Sequence, residues 1–409
     1  MDCNVILLLL SSSPSLQNKA QISLSLLKLL TQNSKSNRSF NQREHLLRLV
    51  LIHKVLPQVH GELTKIRSFS SEIEQDLVSY IAPHQKRSLS LLFELLRLCG
   101  LLKQHNIQPL PYKGPLLAFL AYGETNLRTF DDLDILVSDE DYFKVRTILQ
   151  QHGYVTPPNI ALSDKDEDRF RYYFGEYPMV REKNGICLDI HRRPLGNGDL
   201  TLFGDLPQLW NRLITITIAG KEIQTFSHSD LLIYLCLNGF KDGWEILRSV
   251  CDVAGILQRQ AEHLEWDYIL SETRHLKIDR ILGFGLLLAH QLLEAPIPDV
   301  ILVYIRIDRS TTWLVDRICR KFMHEFETLK SRNPIEALIL KWVGLKYFCA
   351  RRKYVLGSIE RILKFSLAIN YRDTDVIFLP KVLYFLYYLI RPFRLIFDYR
   401  QNLFKFLVK

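Results

Sequence analysis

The sequence predicts an α+β protein in which helical regions flank a central segment that mixes strands and helices. Apolar residues recur with a period near 3.6 before residue 84 and after residue 205, which is typical of helices. Between these regions, short apolar runs with a period of two alternate with glycine turns and helical patterns. We therefore expect an N-terminal helical region over 1–83, a core over 84–205 and a mainly helical domain over 206–409.

The composition is that of a globular protein without a membrane-spanning segment. The chain has 409 residues, of which 47% are hydrophobic and 24% are charged, so a sizeable core is available. No segment reaches the roughly 18 uncharged apolar residues of a spanning helix, and the cysteines show no CxxC spacing. We therefore expect a soluble, cytoplasmic protein with reduced thiols. The net charge of +9 favours anionic partners, although a solvated basic surface explains it equally well.

The core begins with a helix, a short extended segment, a glycine turn and a second helix. Pro83 predicts that a helix starts after it and covers His84–His105, with one broad apolar face. Residues 107–112 contain two prolines, which favour extended geometry in the residues before them. The turn Lys113-Gly114 follows and leads into a short helix over Leu116–Tyr122.

Two aspartates stand on one face of the next strand. Asp132 and Asp134 open an apolar run that is predicted to be a buried strand. Because a strand has a period of two, their side chains point the same way and Asp131 points the other way. An unpaired buried carboxylate is costly, so we interpret the pair as a site for a divalent cation. The competing interpretation is a strand-end turn or a helix-capping acid, because Asp-x-Asp pairs are common.

A third acid on a strand follows a hairpin signal. Residues 186–191 alternate as a strand, which places Asp189 and His191 on one face. Asp132, Asp134 and Asp189 together match what phosphoryl transfer with two Mg²⁺ ions needs, and Mn²⁺ could substitute. We predict that His191 is a hydrogen-bonding residue rather than a metal ligand.

Basic and glycine residues near the acidic strand could bind the phosphates of a nucleotide. Gly114 would let backbone amides approach a phosphate, and the helix after it offers its N-terminus to the anion. Lys113 and Arg128 could balance the charge of a triphosphate. The plainer alternatives are a surface lysine at 113 and an ion pair between Arg128 and Asp131.

These motifs, in this order, resemble the uncharacterised nucleotidyltransferase family of the polymerase-β-like superfamily. The resemblance covers residues 85–255, and its motifs are Lys113-Gly114, Tyr122-Gly123, Leu127-Arg128, Asp132-Leu133-Asp134, Gly153-Tyr154 and Asp189-Ile190-His191. It implies a minimal nucleotidyltransferase fold over 84–205, with a small mixed sheet and flanking helices. It also implies that Asp132 and Asp134 bind metal, and that Asp189 is the third carboxylate and the base for the acceptor hydroxyl.

Two departures from the family pattern bear on activity. Family members often have histidine where this chain has Asn238 and Asp242. If those histidines contact the substrate, the acceptor or the efficiency would differ here. The Gly-Ser turn of many relatives is replaced by Lys113-Gly114, which removes the usual contact between a serine hydroxyl and the triphosphate.

The acids and the resemblance together predict an Mg²⁺-dependent enzyme that moves an NMP from an NTP to an acceptor hydroxyl. A small molecule, a sugar, a protein side chain and an RNA end are all open as acceptors. The alternative is an inactive nucleotide-binding or regulatory module of the same fold, which the missing Gly-Ser turn favours. An RNA-binding protein ranks last, because no RNA-binding motif accompanies the basic charge.

The C-terminal stretch 380–409 is dense in aromatic and basic residues. It could be a helix whose aromatic side chains pack on the protein, or a basic amphipathic segment that lies on a membrane surface. We predict packing on the protein, because the aromatic residues are not confined to one face. Peripheral membrane contact is the alternative.

Overall fold

The structure, a computed structural model, describes residues 48–63, 71–157, 176–195 and 209–328, together with the single residue 386. These residues form a five-stranded mixed sheet, a two-stranded hairpin and flanking helices, which confirms the predicted α+β class. The C-terminal stretch 380–409 lies outside the described residues, apart from residue 386. The three predicted regions stay a prediction.

The strands and helices of the described residues have the following bounds, in chain order. The strands are β1 (Leu110–Pro111), β2 (Asp132–Leu136), β3 (Tyr154–Val155), β4 (Glu176–Arg181), β5 (Ile186–His191), β6 (Ile214–Ile218) and β7 (Lys221–Thr225). The helices are α1 (Leu56–Leu63), α2 (Ser71–Gln104), α3 (Gly114–Tyr122), α4 (Tyr142–Gln151), α5 (His228–Lys241), α6 (Leu247–Arg259), α7 (Trp266–His275), α8 (Asp279–Leu293), α9 (Asp299–Arg306) and α10 (Arg309–Thr328).

The sheet brings two acidic strands together that are far apart in the sequence. Its order is β1-β2-β5-β4-β3, with β2 and β5 parallel and the other neighbours antiparallel. In the register of β2 and β5, Asp134 lies opposite Asp189. Leu133 and Ile135 alternate with the acids and are buried in the core, which holds β2 with its acidic face fixed.

Helix α2 continues through Pro83, so the predicted start at His84 is wrong. A proline inside a helix removes one backbone hydrogen bond and costs about 3 kcal/mol. Ile81 before the proline and Leu91 and Leu95 after it are buried, and each buried side chain contributes about 2 kcal/mol. The packing of this apolar face offsets the cost and keeps the two halves in one helix.

The turn before α3 forms as predicted and lies against β2. Gly114 has a φ of +54° and Gly123, which ends the helix, has a φ of +86°. Both values lie in the left-handed region, where glycine is favoured. A Cβ at Gly114 would lie 3.4 Å from the carbonyl oxygen of Asp132, so the start of α3 is held close to the acidic strand.

Helix α6 packs on α3, which itself lies against the acidic strand β2. Within the region that is predicted to be mainly helical, β6 and β7 form a hairpin that turns at Ala219 and Gly220. In α6, a Cβ at Gly255 would lie 2.7 Å from the carbonyl oxygen of Ala121, so α6 and α3 approach closely at this glycine. Within the ranges that the structure describes, no helix is long and apolar enough to cross a membrane.

Candidate active site

Asp134 is the buried centre of the site, with a side chain that is 8% exposed. Its Oδ1 accepts a hydrogen bond from Lys113 Nζ at 3.0 Å and lies 2.8 Å from His191 Nε2. A carboxylate only accepts hydrogen bonds, so Nε2 carries the proton in this contact. Burial by itself would raise the pKa of Asp134, but Lys113 and His191 hold that pKa well below its usual value. Asp134 is therefore ionised at neutral pH.

Asp189 lies beside Asp134 because β5 pairs with β2 in parallel register. One ligand atom from each of Asp134, Asp189 and His191 lies within 4.8 Å of the other two. Burial, followed by the charges of Asp134, Glu176 and Asp132, raises the pKa of Asp189 to about 7. Part of this shift comes from neighbouring negative charge that Lys113 offsets only in part, and a bound cation would offset the rest.

Asp132 and Asp131 separate as the period of two predicts. Asp132 shares a face of β2 with Asp134, and burial followed by the charge of Asp134 raises its pKa. Its side chain does not join the compact group formed by Asp134, Asp189 and His191 among the described residues. The side chain of Asp131 is 78% exposed and lies 3.7 Å from Lys54. Asp132 therefore stays a predicted ligand, at the edge of the group.

Glu176 is a fourth carboxylate at this site, and the sequence did not indicate it. It lies opposite His191 in the pairing of β4 with β5, and its Oε2 is 3.7 Å from His191 Nδ1. That Nδ1 is buried and has no hydrogen-bond partner among the described residues. Local sequence patterns do not show which strands lie side by side, so this neighbour becomes visible only in the fold.

Lys113 closes the site from the start of α3. Its side chain is 23% exposed and its ammonium group contacts Asp134, so it is not the surface lysine of the plainer alternative. The ammonium also lies 5.4 Å from the ring centroid of Tyr112 and 5.9 Å from that of Tyr234, within the range of a cation–π interaction. These three contacts fix the position of the Lys113 ammonium group.

Arg128 is buried and makes a two-point ion pair with Asp252 of α6. Its Nε lies 2.8 Å from Oδ1 and its Nη2 lies 2.9 Å from Oδ2. The hydroxyl of Tyr122 donates a third hydrogen bond to Asp252 at 2.9 Å. The alternative pairing of Arg128 with Asp131 is therefore wrong, and nucleotide binding by Arg128 stays a prediction. Asp252 belongs to a segment that resembles the family, which was the one available indication of its importance.

A pocket of about 380 Å³ adjoins the acidic group. It is bounded by α3, the segment before β2, α5 and α6. The lining residues are Lys113, Leu117, Arg128, Tyr234, Leu235, Asn238, Asp242, Glu245, Ile246, Arg248, Ser249 and Asp252. Lys113 belongs both to this pocket and to the contact with Asp134, so a ligand in the pocket would lie next to the acids. Asn238 and Asp242, the two departures from the family pattern, both line it.

The arrangement is suited to a divalent cation beside a bound anion. Four carboxylates, those of Asp132, Asp134, Asp189 and Glu176, meet one lysine and one histidine here. Carboxylate oxygens are the ligands that Mg²⁺ and Mn²⁺ prefer, so the residues fit such an ion.

The chain matches a known protein family over its central part. No curated protein and no solved structure matches it. The model of a family described as uncharacterised nucleotidyltransferase matches residues 39–294, which is more than half of the chain and includes both acidic strands and the pocket. The small mixed sheet and its flanking helices are consistent with a nucleotidyltransferase fold. The chain therefore belongs to the uncharacterised nucleotidyltransferase family.

Proposed function

We propose that this protein is an Mg²⁺-dependent nucleotidyltransferase that moves an NMP from an NTP to an acceptor hydroxyl. Membership of the family supports an NTP as the donor. The observation that carries the proposal is the placement of Asp134 beside Asp189 on parallel strands, in a group with His191 whose ligand atoms lie within 4.8 Å of one another.

In this proposal, Asp134 and Asp189 hold the cation, with Asp132 as the third carboxylate at the edge. Magnesium keeps several waters and needs only one or two carboxylates per ion, so three acids can serve two ions. A divalent cation bound there supplies positive charge for the transferred phosphoryl group and the departing pyrophosphate. His191 donates from Nε2 to Asp134 and so orients this carboxylate, which is the role that the sequence favoured.

The protein's own groups then position the nucleotide and move one proton. Lys113 and Gly114 meet the phosphates at the start of α3, and Arg128 lies in the adjoining pocket. Asp189 accepts the proton of the acceptor hydroxyl on a carboxylate oxygen, and surroundings that raise its pKa to about 7 favour this role. The hydroxyl oxygen forms a bond to the α-phosphorus. The bond between the α-phosphorus and the oxygen that bridges to the β-phosphate breaks, and pyrophosphate leaves.

A label-transfer screen tests the proposal. The full chain is incubated with a cell extract, Mg²⁺ or Mn²⁺, and NTPs that carry the label on either the α- or the γ-phosphate. The α-label is expected to appear on an acceptor, the γ-label is expected to leave with pyrophosphate, and EDTA is expected to stop both.

The labelled product identifies the acceptor class. Self-labelling indicates a protein acceptor, and labelled RNA indicates addition to an RNA end. Nucleotide binding without transfer of the α-label in any extract would contradict the proposal and support the inactive nucleotide-binding module. Transfer of the γ-label instead would indicate a kinase and would also contradict it.

A further inference from the structure

The pocket beside the acids contains a cation that the sequence did not single out, Arg248. It lies in the first turn of α6, which begins at Leu247. Its Nη1 donates a hydrogen bond to the carbonyl oxygen of Thr129 at 2.7 Å, which fixes the guanidinium against the segment before β2. Its Nε is buried and has no hydrogen-bond partner in the part of the chain that the structure describes. Arg248 is therefore held in place with a donor unused.

The charge of Arg248 is balanced less well than that of Arg128. Asp252 pairs with Arg128 through both of its oxygens. Among the described residues no carboxylate forms an ion pair with Arg248, and burial followed by the charge of Arg128 lowers its pKa. An anion placed between the two guanidinium groups would relieve this repulsion.

Basic side chains line the inner part of the pocket, and two acidic side chains lie at its rim. Lys113, Arg128 and Arg248 form its inner wall, next to Asp134 and the segment before β2. Of the three acidic lining residues, Asp242 and Glu245 are exposed and lie at the rim, whereas Asp252 is buried and its charge is paired with that of Arg128. The inner wall therefore favours the anionic part of a ligand, and the positive end of α6 adds to this preference.

A purely structural role for Arg248 explains less of the geometry. The contact with Thr129 by itself would account for an arginine that ties α6 to the core. It does not account for an unpaired buried Nε or for a second arginine and a lysine on the same wall. Arginine is also the side chain whose planar donors match phosphate oxygens best.

We propose that Arg248 is a phosphate-binding residue, and that with Lys113 and Arg128 it forms a polyphosphate site in this pocket. This inference builds on the proposed function, because it places the triphosphate of the NTP against the inner wall of the pocket. Lys113 lies between this wall and Asp134, so a polyphosphate held here has one end at the acids that would bind the cation.

Calorimetry with inorganic tripolyphosphate tests this site without a nucleoside or an acceptor. The full chain is titrated once with EDTA and once with Mg²⁺ present. Loss of one charge-assisted contact in Arg248→Gln is expected to weaken binding about tenfold or more. Arg248→Lys keeps the charge but loses the planar fork, and is expected to weaken binding about threefold.

A matched arginine elsewhere controls for loss of charge. Arg280 of α8 pairs with Asp308 at 3.0 Å and lines a separate pocket of about 540 Å³, so Arg280→Gln is expected to bind like the wild type. Thermal unfolding of each variant gives the folded fraction, and affinities are compared per folded molecule. If Arg248→Gln does not fold, Arg248→Lys decides, because a purely structural arginine would leave its affinity unchanged.

The outcomes separate this inference from the proposed function. Wild-type affinity in the folded Arg248 variants, or no tripolyphosphate binding by the wild type in either buffer, overturns the polyphosphate site. If label transfer proceeds but Arg248 has no effect on affinity, this inference fails alone. If tripolyphosphate binding depends on Arg248 but no acceptor is ever labelled, the site stands and the transferase proposal fails.

Discussion

Two groups of buried charge in this protein have opposite characters. Glu94 of α2 is 4% exposed and is surrounded by donors: Arg97 at 2.7 Å, the hydroxyl of Tyr154 at 2.5 Å, and Arg181. The group around Asp134 instead collects four carboxylates against Lys113 and His191, and leaves His191 Nδ1 without a hydrogen bond among the described residues. The first group is complete as it stands, whereas the second lacks positive charge.

The pKa values of the two groups follow the same division. Burial would raise the pKa of Glu94, but its hydrogen bonds with Arg97 and Tyr154 lower it overall. Burial, followed by the charges of three neighbouring carboxylates, raises the pKa of Asp189 to about 7. A buried group whose charges are balanced stabilises the fold, whereas a buried group with excess negative charge is suited to bind a cation. The comparison therefore predicts different consequences when each group is altered.

The largest expected effect is on activity, from Asp134→Asn. The asparagine keeps the shape of the side chain but removes the charge that would bind the cation. We expect nucleotidyl transfer to fall about a thousandfold, because a bound cation contributes several kcal/mol to the transition state. The circular dichroism spectrum should stay that of the wild type. Transfer at the wild-type rate in this variant would exclude Asp134 from the site.

The matched change in the other group is Glu94→Gln, and its expected effect is on stability. Removing the charge leaves Arg97 and Arg181 without their buried partner, so the free energy of unfolding should fall by about 3 kcal/mol. Urea denaturation measures this loss. Transfer per folded molecule should be unchanged, and a variant that is stable but inactive would show that the two groups are not separate.

The two groups should also respond to pH with opposite signs in EDTA. Asp189 titrates near 7 in the folded protein and near 3.8 when unfolded, so the folded state binds the extra proton between these values. The proton stabilises the folded state, and this contribution to the free energy of unfolding is lost as pH rises through about 7. The loss is about 2 kcal/mol once solvent screening is allowed for. Asp189→Asn should remove this slope.

Glu94 gives the opposite dependence. Its pKa is lowered from 4.5 on folding, so its contribution is present above that value and is lost as pH falls through the folded pKa. Unfolding measured between pH 3 and pH 8 on the wild type, Asp189→Asn and Glu94→Gln separates the two contributions. If stability rises with pH around 7 in EDTA, the assignment of the repulsive group to Asp189 is wrong.

The smallest expected effect comes from Gly114→Ala. At a φ of +54° an alanine is strained, so the free energy of unfolding should fall by about 1 kcal/mol. Gly100 lies in α2, and a Cβ there would meet no atom within 4 Å. Gly100→Ala should therefore stabilise the protein by about 0.5–1 kcal/mol. Equal effects of the two substitutions in thermal unfolding would show that the turn at Gly114 imposes no strain.

Local patterns predicted the members of the site better than their partners. The period of two placed Asp132 and Asp134 on one face and Asp131 on the other, and the order of motifs indicated Asp189. Local patterns do not predict which residues from distant segments come into contact. Glu176 reaches His191 only through the register of β4 with β5, and the ion pair of Arg128 joins residues 124 positions apart.

The error at Pro83 has the opposite origin. A proline is a strong local indication that a helix begins or ends, and the predicted start at His84 rests on this preference. The buried apolar face on both sides of the proline outweighs this local preference, and that packing depends on the whole fold. The same holds for Arg248, whose unused donor becomes evident only when α6 is packed beside the segment before β2.

Binding of Mn²⁺, followed by electron paramagnetic resonance, tests the central claim most directly, because it asks whether the Asp134 group takes up a divalent cation. The account predicts that the wild type binds Mn²⁺, that Asp134→Asn and Asp189→Asn lose this binding, and that Glu94→Gln retains it. Mg²⁺ should displace the bound Mn²⁺. Equal Mn²⁺ binding by the wild type and both aspartate variants would contradict the account.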